Sequence, residues 1–282
     1  MFHAHNQTAP DTLLFDLYPG AESGYAFIRL RTGYTGALCR VRRSNDNAEQ
    51  DISYITNSIY LDTTAMKAFV GANSAFIVSW YGQSTNLRTL TQMTTTQQPR
   101  IMNAGVVERV NGNVAAFFDG SNDYMETALA DSVGILNTDF SLFMVQKRSA
   151  AGVRGGIYSG PSLGNILTTQ WTDNNFYLQW VPSTATNGAR YAFAADATAT
   201  LSLIEGHVVS NVGSAYKNNS AYSLSAATPF STTTTYINQL GRYGNSAGNT
   251  SGHILQLVFY KTNQTGNRSA IATKINNIYN AY

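Results

Sequence analysis

Short apolar runs punctuate this chain, and turns rich in Gly, Asn, Ser and Thr separate them. From residue 75 the runs are strand-like: 75–81 (AFIVSWY), 114–118, 140–146 (FSLFMVQ), 155–159, 176–181, 191–195, 207–211, 214–217, 237–241 and 254–261. Ile254, Gln256 and Val258 alternate with Leu255, Leu257 and Phe259, the period of two that a strand imposes. Asp119-Gly120, between two runs, is a tight-turn dipeptide. Many short strands spaced by turns predict an all-β antiparallel sandwich.

Before residue 75 the pattern is mixed. Residues 1–12 are polar and read as an arm, and the apolar run 13–18 (LLFDLY) stops at Pro19-Gly20. Residues 22–30 fit either a short helix or a strand. Residues 37–43 read as a strand and 53–61 as extended chain. In 63–70, Thr63 or Thr64 can cap a short helix, Gly71 stops it, and Met66, Phe69 and Val70 share a face. At the other end Ile271, Ile275, Ile278, Tyr279 and Tyr282 form a helical stripe, with Thr265 or Asn267 as cap. The expected organisation is an N-terminal arm and hairpin/short-helix extension (1–72), then the sandwich (73–282) with a C-terminal helix packed on it.

Charge sharpens one region. Only 12% of the 282 residues are charged, about half the usual share. Yet five arginines fall between Arg29 and Arg43, and Asp46, Glu49 and Asp51 follow at once. Guanidinium forks pair well with carboxylates at hairpin distance, so Arg40, Arg42, Arg43, Asp46, Glu49 and Asp51 read as a structural ion-pair cluster. The net charge is +2; residues 1–139 carry −4 and residues 140–282 carry +6. The positive half is sparse, which argues against nucleic acid as a partner and suits an assembly contact. Cys39 stands alone, so no internal disulfide forms. The start, MFHAHNQTAPDT, lacks a secretory signal, and no run is long enough to span a membrane. His3 and His5 are the only histidines near metal-ligand spacing, on the arm; no metal or cofactor is expected.

Five stretches carry a family resemblance. GYTGALCRVRRSNDNAEQDI (33–52) resembles the opening hairpin of the arabinofuranosidase B family. Residues 76–92, 97–101, 111–125 (NGNVAAFFDGSNDYM) and 240–261 resemble the concanavalin A-like (laminin G-type) sandwich to which that catalytic domain belongs, as found also in phage virion and surface proteins. The resemblance implies a concanavalin A-like antiparallel β-sandwich, or jelly roll. In that family the nucleophile is a Glu in a Met-Glu-Ala-Ile-Tyr strand and the acid an Asp in a Gly-Gly-Asp-Asn-Ser loop. Here the matching positions are Gly155 and Asn245. Glycoside hydrolysis needs two carboxyl groups, and 140–282 holds only Asp173, Asp196 and Glu205. The sequence therefore predicts no catalytic residue and no enzyme.

Sugar binding fits better. Aromatic platforms beside Asn, Gln and Asp suit glycans, and Trp171, Asp173, Asn174 and Tyr177, with Tyr81 and Asn86, have that mixture. Trp80 and Trp180 read as core; Trp171 fits core and site equally. The expected function is a non-catalytic structural protein of a phage particle: a capsid decoration, fibre or tail-associated protein on the virion surface, made in the host cytoplasm. Its partners would be other virion proteins and further copies of itself, with a glycan as candidate ligand. The alternatives are a glycoside hydrolase of arabinofuranosidase type, a lectin-like bacterial surface protein, or a purely architectural sandwich.

Overall fold

The computed structural model describes residues 12–135, 139–160, 165–168, 171–180, 189–210, 212–227, 235–244 and 248–282. The arm and Asn245 lie outside these, as does the side chain of Trp180. Strands dominate, every pairing between them is antiparallel, and the fold is an all-β sandwich with an N-terminal hairpin and short helices and a C-terminal helix.

The strand Ser251–Tyr260 organises one layer. It pairs with Ser23–Ala26, Ala116–Asp119 and Phe140–Arg148, and the layer continues through Ser202–Val209 to Val212–Lys217. The other layer runs Leu90–Thr91, Met125–Glu126, Gln239–Leu240, Ile157–Ser159, Asn165–Thr168, Tyr177–Trp180 and Ala189–Phe193. Ala75–Trp80 joins them, pairing at one end with Leu90–Thr91 and at the other with Arg100–Asn103. Strands on both sides of residue 72 are hydrogen-bonded to each other: Cys39–Arg43 lies against Ala75–Trp80.

Period-two alternation explains the core between the layers. Leu142, Met144, Phe118, Leu257 and Phe259 from one layer meet Met125, Leu240, Tyr158, Phe176 and Leu178 from the other. Burying each such side chain is worth about 1.5–3 kcal/mol. The central strand is apolar on both sides because its outer face is covered as well. Leu255, Val258 and Tyr260 pack with Phe143 and Val145 under Ile271, Ile275 and Tyr279 of helix α3 (Arg268–Tyr279) and Leu14 and Phe15 of helix α1 (Leu14–Leu17). Glu205 is fully buried there and accepts from Arg268 Nη1 at 3.2 and 3.3 Å, which ties α3 to the sheet.

Four local readings are settled or changed by the structure. Residues 22–30 form the strand Ser23–Ala26, because its partner is the far C-terminal strand, which no local pattern reveals. The cap of helix α2 (Thr63–Val70) is Asp62, whose carboxylate accepts from Thr64 N and Ala65 N at 3.1 and 2.9 Å; a carboxylate outbids the threonine hydroxyls at the positive helix end. Residues 53–61 make only isolated bridges, Tyr54 to Leu61 and Ile28 to Tyr60, because the chain turns back on itself with Asn57 at φ 61°. At the C-terminus, Asn280 in the left-handed region ends α3 and leaves Tyr282 exposed, off the stripe.

Candidate active site

Register assembles one polar row across the outer face of the second layer. Thr91 stands beside Glu126, Glu126 beside Gln239, and Gln239 beside Ser159. The alternate positions, Met125, Leu240 and Tyr158, point into the core. The row extends the other way through Ser79 and Arg40 to Asp51. Neighbours in register share a face, so seven side chains from seven strands point to one side of the layer, with Ser79, Gln239 and Ser159 buried beneath it.

Glu126 is the carboxylate in the middle of this row, with its side chain 41% exposed. Gln239 Nε2 donates to its Oε2 at 2.9 Å, and Arg242 Nη2 lies 3.8 Å from the same oxygen. The Arg242 guanidinium sits 3.4 Å over the ring of Tyr124, two residues from Glu126. Gly241 makes this possible. It turns the chain at φ 96°, and a Cβ there would collide with the Phe118 ring. Ser159 Oγ then donates to the Arg242 carbonyl at 2.5 Å. An open carboxylate flanked by a cation and an amide donor can attack, or take a proton, on a bound glycan.

An aromatic stack adjoins it. Tyr243, next to Arg242, meets Trp171 edge-on at 5.4 Å, and the Arg154 guanidinium lies 4.2 Å from the indole centroid. Trp171 is half-buried and so partly open to solvent. Trp171 is thus the sequence-predicted residue that reaches this surface. Its neighbours are wired into their own turn. Tyr177 donates to Asp173 Oδ2 at 2.6 Å, Asn175 N to Asp173 Oδ1 at 3.0 Å, and Asn174 Oδ1 accepts from Arg148 Nη1 at 2.8 Å and Gly152 N at 2.9 Å.

Tyr81 and Asn86 lie away from Glu126, Tyr81 at the Asp51 end of the row. Tyr81 donates to Asp51 at 2.7 Å and lines a separate cleft of about 450 Å³ with Arg31, Tyr34 and Leu87; Asn86 donates to the Glu22 carbonyl at 3.4 Å. In the charged hairpin, Arg40 pairs with Glu49 at 2.8 Å and Asp51 at 3.6 Å, and Arg43 with Asp46 at 2.6 Å. Arg42 differs. It is 94% buried by its 6% exposure, and it bonds the neutral oxygens of Gln98 (2.7 Å), Asn47 (2.8 Å) and Thr95 (3.2 Å). Among the described residues no group of three or more His, Cys, Asp or Glu is placed to hold a metal ion, and no helix is long and apolar enough to cross a membrane.

Sequence reasoning missed Glu126, Gln239 and Arg242. A short polar-apolar-polar alternation at 124–126 was the sole local signal, and it says nothing about partners more than a hundred residues away.

Comparison with known proteins bears on this surface. Residues 21–128 match the family model of the alpha-L-arabinofuranosidase B catalytic domain, a span that includes Glu126. An arabinofuranosidase complexed with arabinofuranosyl-alpha-1,2-xylobiose has a similar fold, with a TM-score of 0.66 at 12% identity over 95% of this chain and 64% of that one. A GH54 α-L-arabinofuranosidase soaked with a cyclic sulfate inhibitor gives 0.65 at 12% identity, over 95% and 65%. This chain therefore spans a little under two thirds of their length. No curated protein sequence matches it.

These matches correct the expectation of a non-catalytic phage virion protein: the family matched is that of a glycoside hydrolase catalytic domain, and the shared fold is that of solved arabinofuranosidases. The expectation of no enzyme rested on the scarcity of acids after residue 139. Gly155 is indeed a buried backbone position whose carbonyl accepts from Thr250 Oγ1 at 2.8 Å, and Asn245 lies outside the described residues. The sheet, however, brings a carboxylate from the other half of the chain. Glu126 reaches the strands Gln239–Leu240 and Ile157–Ser159 through register alone.

Proposed function

We propose that this chain is a glycoside hydrolase domain of arabinofuranosidase type, built on a concanavalin A-like sandwich, which acts on glycans laid across the Glu126 face. The observation that carries the reading is the match of residues 21–128 to the catalytic domain of that family. The open carboxylate at the centre of a polar row and the half-buried Trp171 beside it support the reading.

In this reading Glu126 supplies the ionised carboxylate, oriented by Gln239 and Arg242, and Trp171 stacks against the sugar. Hydrolysis also needs a proton donor, with the two carboxyl groups about 5–9 Å apart. Among the acids after residue 139, Asp196 is bonded to Lys217 and Glu205 to Arg268. Asp173, on the turn that carries Trp171, is the candidate for the second role. The test is hydrolysis of 4-nitrophenyl α-L-arabinofuranoside by the wild-type chain and by Glu126→Gln and Asp173→Asn. Turnover that falls in both variants, with melting unchanged, supports the assignment. No turnover by the wild-type chain, or full turnover by Glu126→Gln, sinks it.

A further inference from the structure

A second cleft of about 450 Å³ opens on the outer surface beside Arg42, and the Glu126 face does not use it. Its floor is a cross-strand ladder in which cations and aromatic rings alternate. Arg42 stands beside Phe76, Phe76 beside Arg100, Arg100 beside Phe117, and Phe117 beside His253. The guanidinium of Arg42 lies 5.0 Å from the Phe76 ring and that of Arg100 lies 4.7 Å from Phe117. Both rings are half-buried and line the cleft. Thr96, on the exposed 3₁₀ turn Thr95–Gln97, forms the rim, and Asp119 and Asp123 form the far wall.

Asp123 is the unusual member. It is 6% exposed, and Oδ2 accepts the Asp119 N–H at 2.9 Å. Among the described residues Oδ1 has no hydrogen-bond partner, and Asp123 lines the cleft. Burial pushes this carboxyl up to about 7. A buried carboxyl held by a single backbone N–H is costly to keep ionised, and an asparagine would satisfy the same Asp119 N–H without that cost. Opposite it, Arg100 gives Nε to Glu108 at 2.7 Å, and its Nη groups have no hydrogen-bond partner among the described residues.

The charges decide what fits. An anion would meet Asp119 and Asp123, and a cation would meet Arg42 and Arg100. A neutral ligand with adjacent hydroxyls suits both walls, donating to the Asp123 carboxyl and accepting from the Arg100 fork. Its C–H face would rest on the edges of Phe76 and Phe117, and the volume is in the range of small-ligand sites. We propose that this cleft is a separate binding site for a neutral sugar residue, held between Asp123 and Arg100 over the phenylalanine edges. The segment from Asp123 to Glu126 separates it from the Glu126 face, but sugar binding here does not require hydrolysis there.

The test is an NMR titration of the full chain with L-arabinose, D-xylose and arabinofuranosyl-α-1,2-xylobiose, with inorganic phosphate as the charged probe. Saturable shifts at the Arg100 Nε–H and the Thr96 and Asp119 amides with at least one sugar, and none with phosphate, are expected. Asp123→Asn should weaken the binding about tenfold or more, the worth of a charge-assisted hydrogen bond. Thr96→Arg, at an exposed position where folding is not at stake, should abolish it by filling the cleft. Glu126→Gln should leave it intact, which separates this site from the hydrolytic reading. Absence of saturation with every sugar, stronger binding of phosphate, or undiminished binding in both cleft variants would overturn the proposal.

Discussion

The hairpin formed by Cys39–Arg43 and Glu49–Ile52 and the face around Glu126 are opposite ways of using charge. The hairpin concentrates it: Arg40, Arg43, Asp46, Glu49 and Asp51 pair among themselves, close in sequence and half-exposed. The Glu126 face is sparse. Around Glu126 it holds a single carboxylate, with its cation and amide drawn from residues 242 and 239, and the next one in the row, Asp51, belongs to the hairpin. Dense charge satisfied locally stabilises little and leaves nothing for a substrate. A lone carboxylate placed by sheet register keeps an exposed oxygen, and chemistry needs that.

The sharpest way to break this contrast is at Glu126. Glu126→Gln keeps the Gln239 neighbour and removes the charge; hydrolysis of the nitrophenyl arabinofuranoside should fall by about 10²–10⁴-fold. Equal turnover would put Glu126 with the hairpin carboxylates, as structure only. Next comes Arg42, the buried exception within the hairpin. Burial holds its guanidinium below the ordinary value, and three neutral oxygens depend on it. Arg42→Ala should destabilise by about 2–3 kcal/mol, since Gln98, Asn47 and Thr95 lose a charged donor; urea denaturation measures this, and an unchanged midpoint would remove Arg42 from the structural set.

A smaller effect is expected at Asp123. Its folded value of about 7 stands above the ordinary 3.8, so between those pH values the native state holds a proton that the unfolded chain has released. Stability should fall as pH rises through that window. Asp123→Asn should remove the decline, and the variant should melt higher than the wild type at pH 8 while matching it at pH 4. Parallel melting curves at both pH values would show that the carboxyl is not under strain. The smallest effect belongs to Arg40→Ala, which breaks exposed pairs with Glu49 and Asp51 and should cost under about 1 kcal/mol, less still in high salt. A loss as large as that of Arg42→Ala would show the hairpin to be one coupled network.

Much of the fold was legible residue by residue. The run 75–81 became the strand Ala75–Trp80, the stripe of Ile271, Ile275 and Tyr279 became the buried side of α3, and helix α2 spans residues 63–70 as expected. Each of these signals is a periodicity within one element. The site was much less legible. Trp171 was singled out and stands edge-on to Tyr243, next to Arg242, whereas Tyr177 and Asp173 bond each other within a turn, Asn174 accepts from Arg148 and Gly152, and Tyr81 and Asn86 lie away from Glu126. Counting acids by segment misled because it assumed that a site draws its carboxylates from neighbouring sequence.

By itself the sequence determined the strand-rich class, the turns, the two longer helices and the self-paired hairpin, because each follows from the alternation of apolar residues or from charges a few positions apart. Only the tertiary structure decided that Ser23–Ala26 pairs with the last strand, that Asp62 caps α2, and that Glu126, Gln239, Arg242 and Trp171 share one surface. Those are matters of register between strands distant along the chain. A shift of one residue would turn Glu126 into the core and Met125 out of it, and the packing of the two layers prevents that shift.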